Sequence, residues 1–528
     1  MKRRQFLQNS AAVTAGAVFA PYIMKGNQFK ILRNEDINAI AEDNVLIIVE
    51  LFGGNDGLNT IIPAYNDTYY NIRPTLNYPV ENTKRFGTSD VYFNPSLVDD
   101  VHNGGLLRMM EDGRLAIVEG VGYKDPNLSH FRSEDIHLSG INSSDPKVKL
   151  LEGWLARYFH KKLPNFPLEI PEHPLSVQIG GSLSMLLKAK KGHMGISITD
   201  PEKFFELGAG LSPKEKMMPN DTNFGQEFNF NHVIAQQSEM YSKAVKEAFD
   251  KGKTMHKVDY SEGFAQQFKI ISALIAGGLK TKVYFVKLSN FDSHAQQMNP
   301  DFTGQHPTLL KEMANGVSEF MDDAVQQGWS ERVAGFTISE FGRRAYDNGS
   351  RGTDHGAASM QFVFGGEYVE GGYYGDKPKL EADDLDLDGN VVYQHEFRRT
   401  FTDVLTNWLG AETDDIIDLF GKEFMPIGVL KPRDCAVGDL LVSNNNNNLL
   451  VYPNPSAGNV TVSFELKEAS NVDISVYNVP GFMIKKVKKG YLSAGLHKIR
   501  FNIHHTGSFI LSLNCNCRRY STKFNIAL

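Results

Sequence analysis

Asp354 and His355 set a carboxylate beside an imidazole in the loop Ser350-Arg-Gly-Thr-Asp-His-Gly356. That loop closes a stretch, Thr337 to Gly356, that begins as a short β-type run and continues through Glu340, Arg343 and Arg344. Oxygen and nitrogen donors on a glycine-tightened loop suit a divalent cation, and the plain alternative is a surface turn. Two other places share this character. Asp56 follows the apolar run 45–52 within Gly53-Gly54-Asn55-Asp56-Gly57, and Asp292 with His294 follows the run 281–288. His395, in Tyr393-Gln-His-Glu-Phe-Arg398, is placed to complete one shell. His306 is a spare candidate whose ordinary reading is structural. Each set sits just after a predicted strand, and in an open α/β sheet those strand ends share one edge, where ligands bind. Ligand sets converging there would hold two divalent cations, zinc first, with manganese, magnesium or calcium as alternatives.

The elements that must position these residues follow from the apolar pattern. Val45 to Phe52 is nearly continuous, as a strand covered on both faces requires, and Leu115 to Val121, Leu175 to Ile179 and Thr281 to Leu288 read the same way. Between them, 152–158, 231–253, 264–279 and 307–327 have helical periodicity. Strand, polar loop and helix in repeating order predict an α/β domain over 40–430, its mostly parallel sheet sandwiched by helices.

Composition bounds the rest. The chain has 528 residues, and 55 basic against 62 acidic side chains give a net charge of −7, which offers no general affinity for nucleic acid. The three cysteines, Cys435, Cys515 and Cys517, make no disulfide framework and exclude cysteine-based zinc sites from the first four hundred residues. Residues 1–30 read as an export signal, with Lys2-Arg3-Arg4 before the mild apolar run 11–20. The core Arg3-Arg4-Gln5-Phe6-Leu7 resembles a twin-arginine signal. No other membrane span is expected beyond that signal, should it stay uncleaved. A polar tract, 431–449, separates the main domain from 450–528, where short alternating segments and Pro-Gly and Ala-Gly turns predict a small β-sandwich of about seven strands. Its opening, Val451-Tyr-Pro-Asn-Pro-Ser456, resembles that of the type IX secretion sorting domain. That resemblance implies transport by the export and type IX machinery to the cell surface or medium.

Taken together, several segments resemble the domain-of-unknown-function family 1501 of the alkaline phosphatase-like superfamily. They are Gly53 to Thr60, Gly120 to Tyr123 with Ser129-His130-Phe131, Gly153-Trp-Leu155, Phe291-Asp-Ser-His294, Ser339-Glu-Phe-Gly-Arg343 and Thr353-Asp-His-Gly356. The resemblance implies two-metal chemistry on a small anionic ester of phosphate or sulfate. It makes Asp56 a ligand, assigns Asp292 and His294 to one cation, and assigns Asp354 and His355 to the other. It also implies a serine or threonine nucleophile, Ser129 with Ser133 in reserve, and Arg343 or Arg344 as clamp of an anionic oxygen. The Pro-x-Arg pattern of formylglycine sulfatases is absent. The rival expectation is a catalytically silent domain of this superfamily acting as a surface binding or assembly protein. An α/β-hydrolase is disfavoured, since the chain lacks a Gly-x-Ser-x-Gly elbow.

Overall fold

The computed structural model describes residues 30–33, 43–98, 104–167, 169–190, 192–209, 222–431, 449–466, 470–515 and 518–527. The export signal and the polar tract 432–448 lie outside these residues. Contacts divide the chain into two compact units, Met1–Val392 and Tyr393–Leu528. The second therefore takes in 393–431 as well as the C-terminal strands, whereas the sequence suggested a border at the polar tract.

The first unit is built on a mixed sheet. Its strands are β1 (Val45–Leu51), β2 (Leu115–Gly122), β3 (Ser176–Ile179), β4 (Ile196–Ile198), β5 (Val283–Leu288), β6 (Val333–Ile338), β7 (Ser359–Gly365) and β8 (Gly372–Tyr374). They lie in the order β4-β3-β5-β1-β6-β7-β2-β8. The block from β4 to β6 is parallel throughout, while β7 runs antiparallel to both neighbours. Every residue of β1 is buried. Val45, Ile47, Val49 and Leu51 face one core, shared with helices α1 (Ala265–Ala276) and α2 (Gln305–Gln327), while Leu46, Ile48 and Glu50 are buried on the opposite face. Cover on both faces is why the strand reads as an unbroken apolar run. The parallel register aligns Leu51 with Leu288, and Glu50 with Ile338, so three strands end together and pass into the polar loops 52–60, 289–294 and 339–344.

In the second unit, seven strands form two packed antiparallel sheets: β9 (Leu449–Tyr452), β10 (Asn459–Leu466), β11 (Ser470–Asn478), β12 (Met483–Leu492), β13 (Gly495–Asn502), β14 (Gly507–Cys515) and β15 (Arg518–Ile526). The orders are β9-β10-β13 and β12-β11-β14-β15, around a core that includes Val462, Phe464, Ile474, Leu511 and Phe524. Among the described residues, no helix is long and apolar enough to cross a membrane.

Candidate metal centre

Glycine lets the first two loops meet. Gly53 has φ +123°, and a Cβ there would lie 2.2 Å from the Asp292 nitrogen, so only a bare backbone fits. The third loop is tied in by Ser339, whose hydroxyl donates to the Leu51 carbonyl at 2.9 Å, and by Glu340, which accepts from the Gly53 N–H at 2.8 Å. The Asp354-His355 loop is anchored where His355 pairs with Arg343 in a short antiparallel ladder. Gln297 braces the whole: its oxygen accepts from Ser293 at 3.0 Å and Thr353 at 2.7 Å, the neighbours of Asp292 and Asp354.

These constraints bring three imidazoles around one carboxylate. Each ring is held by its Nδ1: His130 by Glu340 at 2.8 Å, His294 by Asp354 at 3.1 Å, and His355 by the Leu128 carbonyl at 2.8 Å. Carboxylate and carbonyl oxygens only accept, so Nδ1 carries the proton and Nε2 of the neutral ring presents a lone pair. All three Nε2 atoms turn to Asp292, His294 and His355 at 3.3 Å from Oδ1 and His130 at 3.3 Å from Oδ2. The Nε2 atoms of His294 and His355 lie only 2.9 Å apart. Two ring nitrogens and a carboxylate oxygen at that range are held either by a shared proton or by a cation between them. A tetrahedral zinc with bonds near 2.0–2.1 Å would set its ligand atoms about 3.3 Å apart, so the residues fit such an ion. His130, Asp292 and His355 also form a set whose ligand atoms lie within 4.8 Å of one another. Phe341, buried, holds two of the rings in place, its centroid 4.4 Å from His355 and 4.9 Å from His130.

The electrostatics follow from these contacts. The hydrogen bond that His130 donates to Glu340 is the main influence raising its pKa, while burial lowers that of His355. Burial works to raise Asp292, but the hydrogen bond and charge of Arg343 outweigh it and bring the carboxyl to about 2, leaving it ionised at any physiological pH.

Several sequence expectations are redirected. Asp56 is fully buried and its Oδ2 is taken by Arg73 at 2.7 Å and Gln297 at 2.6 Å, because a carboxylate this deep needs a guanidinium partner. Gln297 links it to Ser293 and Thr353, while its Oδ1 is buried without a hydrogen-bond partner. Asp354 Oδ1 accepts from His294 Nδ1 at 3.1 Å and from the Asn348 amide at 3.2 Å. Arg343 has a buried side chain whose nitrogens donate to the carbonyls of Gly53, Gly54, Phe291 and Thr353 and to Asp292, which leaves it no role as an anion clamp. Arg344 is different: its Nε is buried without a hydrogen-bond partner, and its charge acts on Asp354. His306 is buried against Asn55, with Nε2 to Oδ1 at 3.1 Å. His395 lies in the second unit, where Arg399 donates to its Nδ1 at 2.8 Å.

The sequence argument did not offer His130 as a ligand candidate, although it stands where His294 and His355 do, after a strand and its polar loop. It begins helix α3 (His130–Ser139), and a lone histidine at a helix start carries no spacing signal of its own. Ser129 is the exposed N-cap residue, and its hydroxyl makes no capping hydrogen bond. The Leu128 carbonyl on one side accepts from His355 and the His130 ring on the other meets Asp292, so Ser129 is held between two members of the cluster. Ser133 is buried and engaged with Tyr123 at 2.9 Å and with the Asn127 carbonyl, which closes the turn.

Comparison with known proteins gives two family matches. Residues 211–413 match the family described as "Protein of unknown function (DUF1501)", and residues 450–527 match "Secretion system C-terminal sorting domain". No curated protein matches the chain. Among solved structures, a protein in the alkaline phosphatase superfamily from Vibrio parahaemolyticus is 8% identical, covering 96% of this chain and 91% of its own, with a TM-score of 0.30. A sulfatase from Pseudoalteromonas sp. is 12% identical over 92% of this chain and 91% of its own, at 0.33. A phosphonate monoester hydrolase from Silicibacter pomeroyi is 9% identical over 92% and 89%, at 0.30. The sorting domain marks the chain as exported, to the cell surface or beyond.

Proposed function

From a chain whose residues 211–413 belong to the DUF1501 family and whose C-terminus is a secretion sorting domain, we propose an exported metal-dependent hydrolase of phosphate or related esters. The observation that carries it is the 2.9 Å approach of two imidazole lone pairs beside the Asp292 carboxylate. His130, Asp292, His294 and His355 hold the divalent cation, with Glu340, Asp354 and the Leu128 carbonyl fixing the rings from behind. Nitrogen and oxygen donors in this mixture suit zinc first and manganese next. His130, Asp292 and His355 offer ligand atoms within 4.8 Å of one another, and His294 adds its Nε2 beside His355, so our reading is one cation here where the sequence suggested two. Such an ion, when bound, polarises the ester oxygen and eases loss of a proton from a nearby hydroxyl.

The chain's own residues supply the remainder. Ser129 Oγ loses its proton to solvent and forms the bond to phosphorus as the bond to the leaving oxygen breaks, that oxygen taking up a proton from solvent; water then displaces Ser129, releasing the product and restoring the hydroxyl. Arg344, whose positive charge acts on Asp354 beside the cluster, steadies a non-bridging oxygen. The test is turnover of a panel of phosphate, phosphonate and sulfate esters by the metal-loaded protein and by Ser129→Ala. Turnover that falls at least a hundredfold in the variant, with metal content unchanged, is the expected result. Activity untouched in Ser129→Ala removes that serine from the mechanism. A protein inert toward every ester despite bound metal points to the binding or assembly role.

A further inference from the structure

The sorting sandwich does not hang from residues 432–448 alone. Within the second unit, its β11–β12 turn meets the segment that precedes the polar tract. Phe424 forms an antiparallel bridge with Phe482, their rings 5.6 Å apart, and the Met425 N–H donates to the Gly481 carbonyl at 3.1 Å. Lys422 Nζ lies 3.9 Å from the Phe482 ring centroid, a cation–π contact. Glu423 accepts from the Tyr477 hydroxyl at 3.2 Å and lies 4.0 Å from Lys486. Gly481 is shaped to this neighbour twice over. Its φ is +95°, and a Cβ there would lie 2.3 Å from Arg399 Cδ. Arg399 is in turn fixed by donating to the Met425 carbonyl at 2.9 Å. Phe424 is fully buried, with Arg398 Cζ 4.4 Å from its ring centroid.

We propose that residues 398–425 are the sorting domain's own receptor: a clasp that holds 449–528 non-covalently, so that cutting the chain within 432–448 does not release it. The occupant is fixed by the contacts themselves, since the turn 477–482 is seated there. Two consequences follow. Gly481 is buried and Phe482 half-buried against this segment while Val479 stays exposed, so a partner that reads the Gly481-Phe482 side must compete with Phe424 and Lys422. A proteolysed chain would keep its sorting domain as a bound fragment. The inference stands apart from the hydrolase reading, because none of its residues belongs to the metal cluster.

The experiment uses the full chain with a site-specific protease sequence inserted between Asn445 and Asn446. After complete cleavage, size-exclusion chromatography at low micromolar concentration reads whether the C-terminal fragment travels with the larger piece. Co-elution is expected, with release in Gly481→Val and in Phe482→Asp. Lys422→Ala/Glu423→Ala leaves the sandwich sequence intact and should also release the fragment, which separates a broken clasp from a misfolded sandwich. Separation of the unmodified cleaved chain overturns the proposal. Retention in all three variants overturns the assignment to these residues.

Discussion

An imidazole with one nitrogen tied to an acceptor has only the other to offer, and this chain applies that constraint three times around Asp292. The groups behind the ligands should therefore matter nearly as much as the ligands. Asp354→Asn is expected to weaken divalent-metal affinity by roughly 10–100-fold, read by competition with a chromogenic chelator, because the amide no longer fixes the His294 tautomer. An affinity equal to the parent's would count against the orienting role. A second prediction separates the histidine that sequence reasoning overlooked from one that it favoured. His130→Ala should lose bound metal while His395→Ala keeps it, measured as metal per folded chain. The juxtaposition of Asp292, His294 and His355 could be anticipated because each follows an apolar run into a polar loop. Arg343 was misread for a physical reason: an arginine beside an Asp-His loop looks like an anion clamp until its nitrogens are seen spent on carbonyls.

Among the elements, parallel register decides which loops share an edge, and a few glycines decide how closely they approach. Gly53→Ala tests this. The added methyl would run into the Asp292 backbone at 2.2 Å from a φ of +123°, so Asp292 must move. We predict at least tenfold weaker metal binding and a melting temperature lower by several degrees, with the far-ultraviolet circular dichroism retained. Unchanged metal affinity would mean that the loop has slack the geometry denies. The parallel strands were readable in sequence because cover on both faces forces unbroken apolar runs, as in β1. β7 was not picked out, and its antiparallel course breaks the strand–loop–helix rhythm on which the parallel reading depended. The seven strands of the sandwich were legible from their turn residues. Its docking on 398–425 was not, since residues such as Phe424 and Gly481 carry no local sign of their partners.

For the molecule as a whole, the buried His306 ties stability to pH. Burial lowers its imidazole to about 4 from an ordinary 6.5, so the native state stays neutral where the unfolded chain already binds a proton. Its contribution is complete above pH 6.5 and drains away between 6.5 and 4, about 3 kcal/mol in all. Urea unfolding at both ends of that window should show the loss, and His306→Gln should show a shallower slope. A parallel slope in the variant would assign the acid sensitivity elsewhere. The sorting domain marks the chain as exported, and for the proposed site occupancy is the deciding quantity. The most direct measurement is elemental analysis of the folded protein after exposure to zinc, manganese, magnesium and calcium, with Asp292→Asn/His355→Ala alongside. The account predicts about one divalent cation per chain, absent from the double variant. A folded parent protein that takes up no metal from any of the four would contradict it.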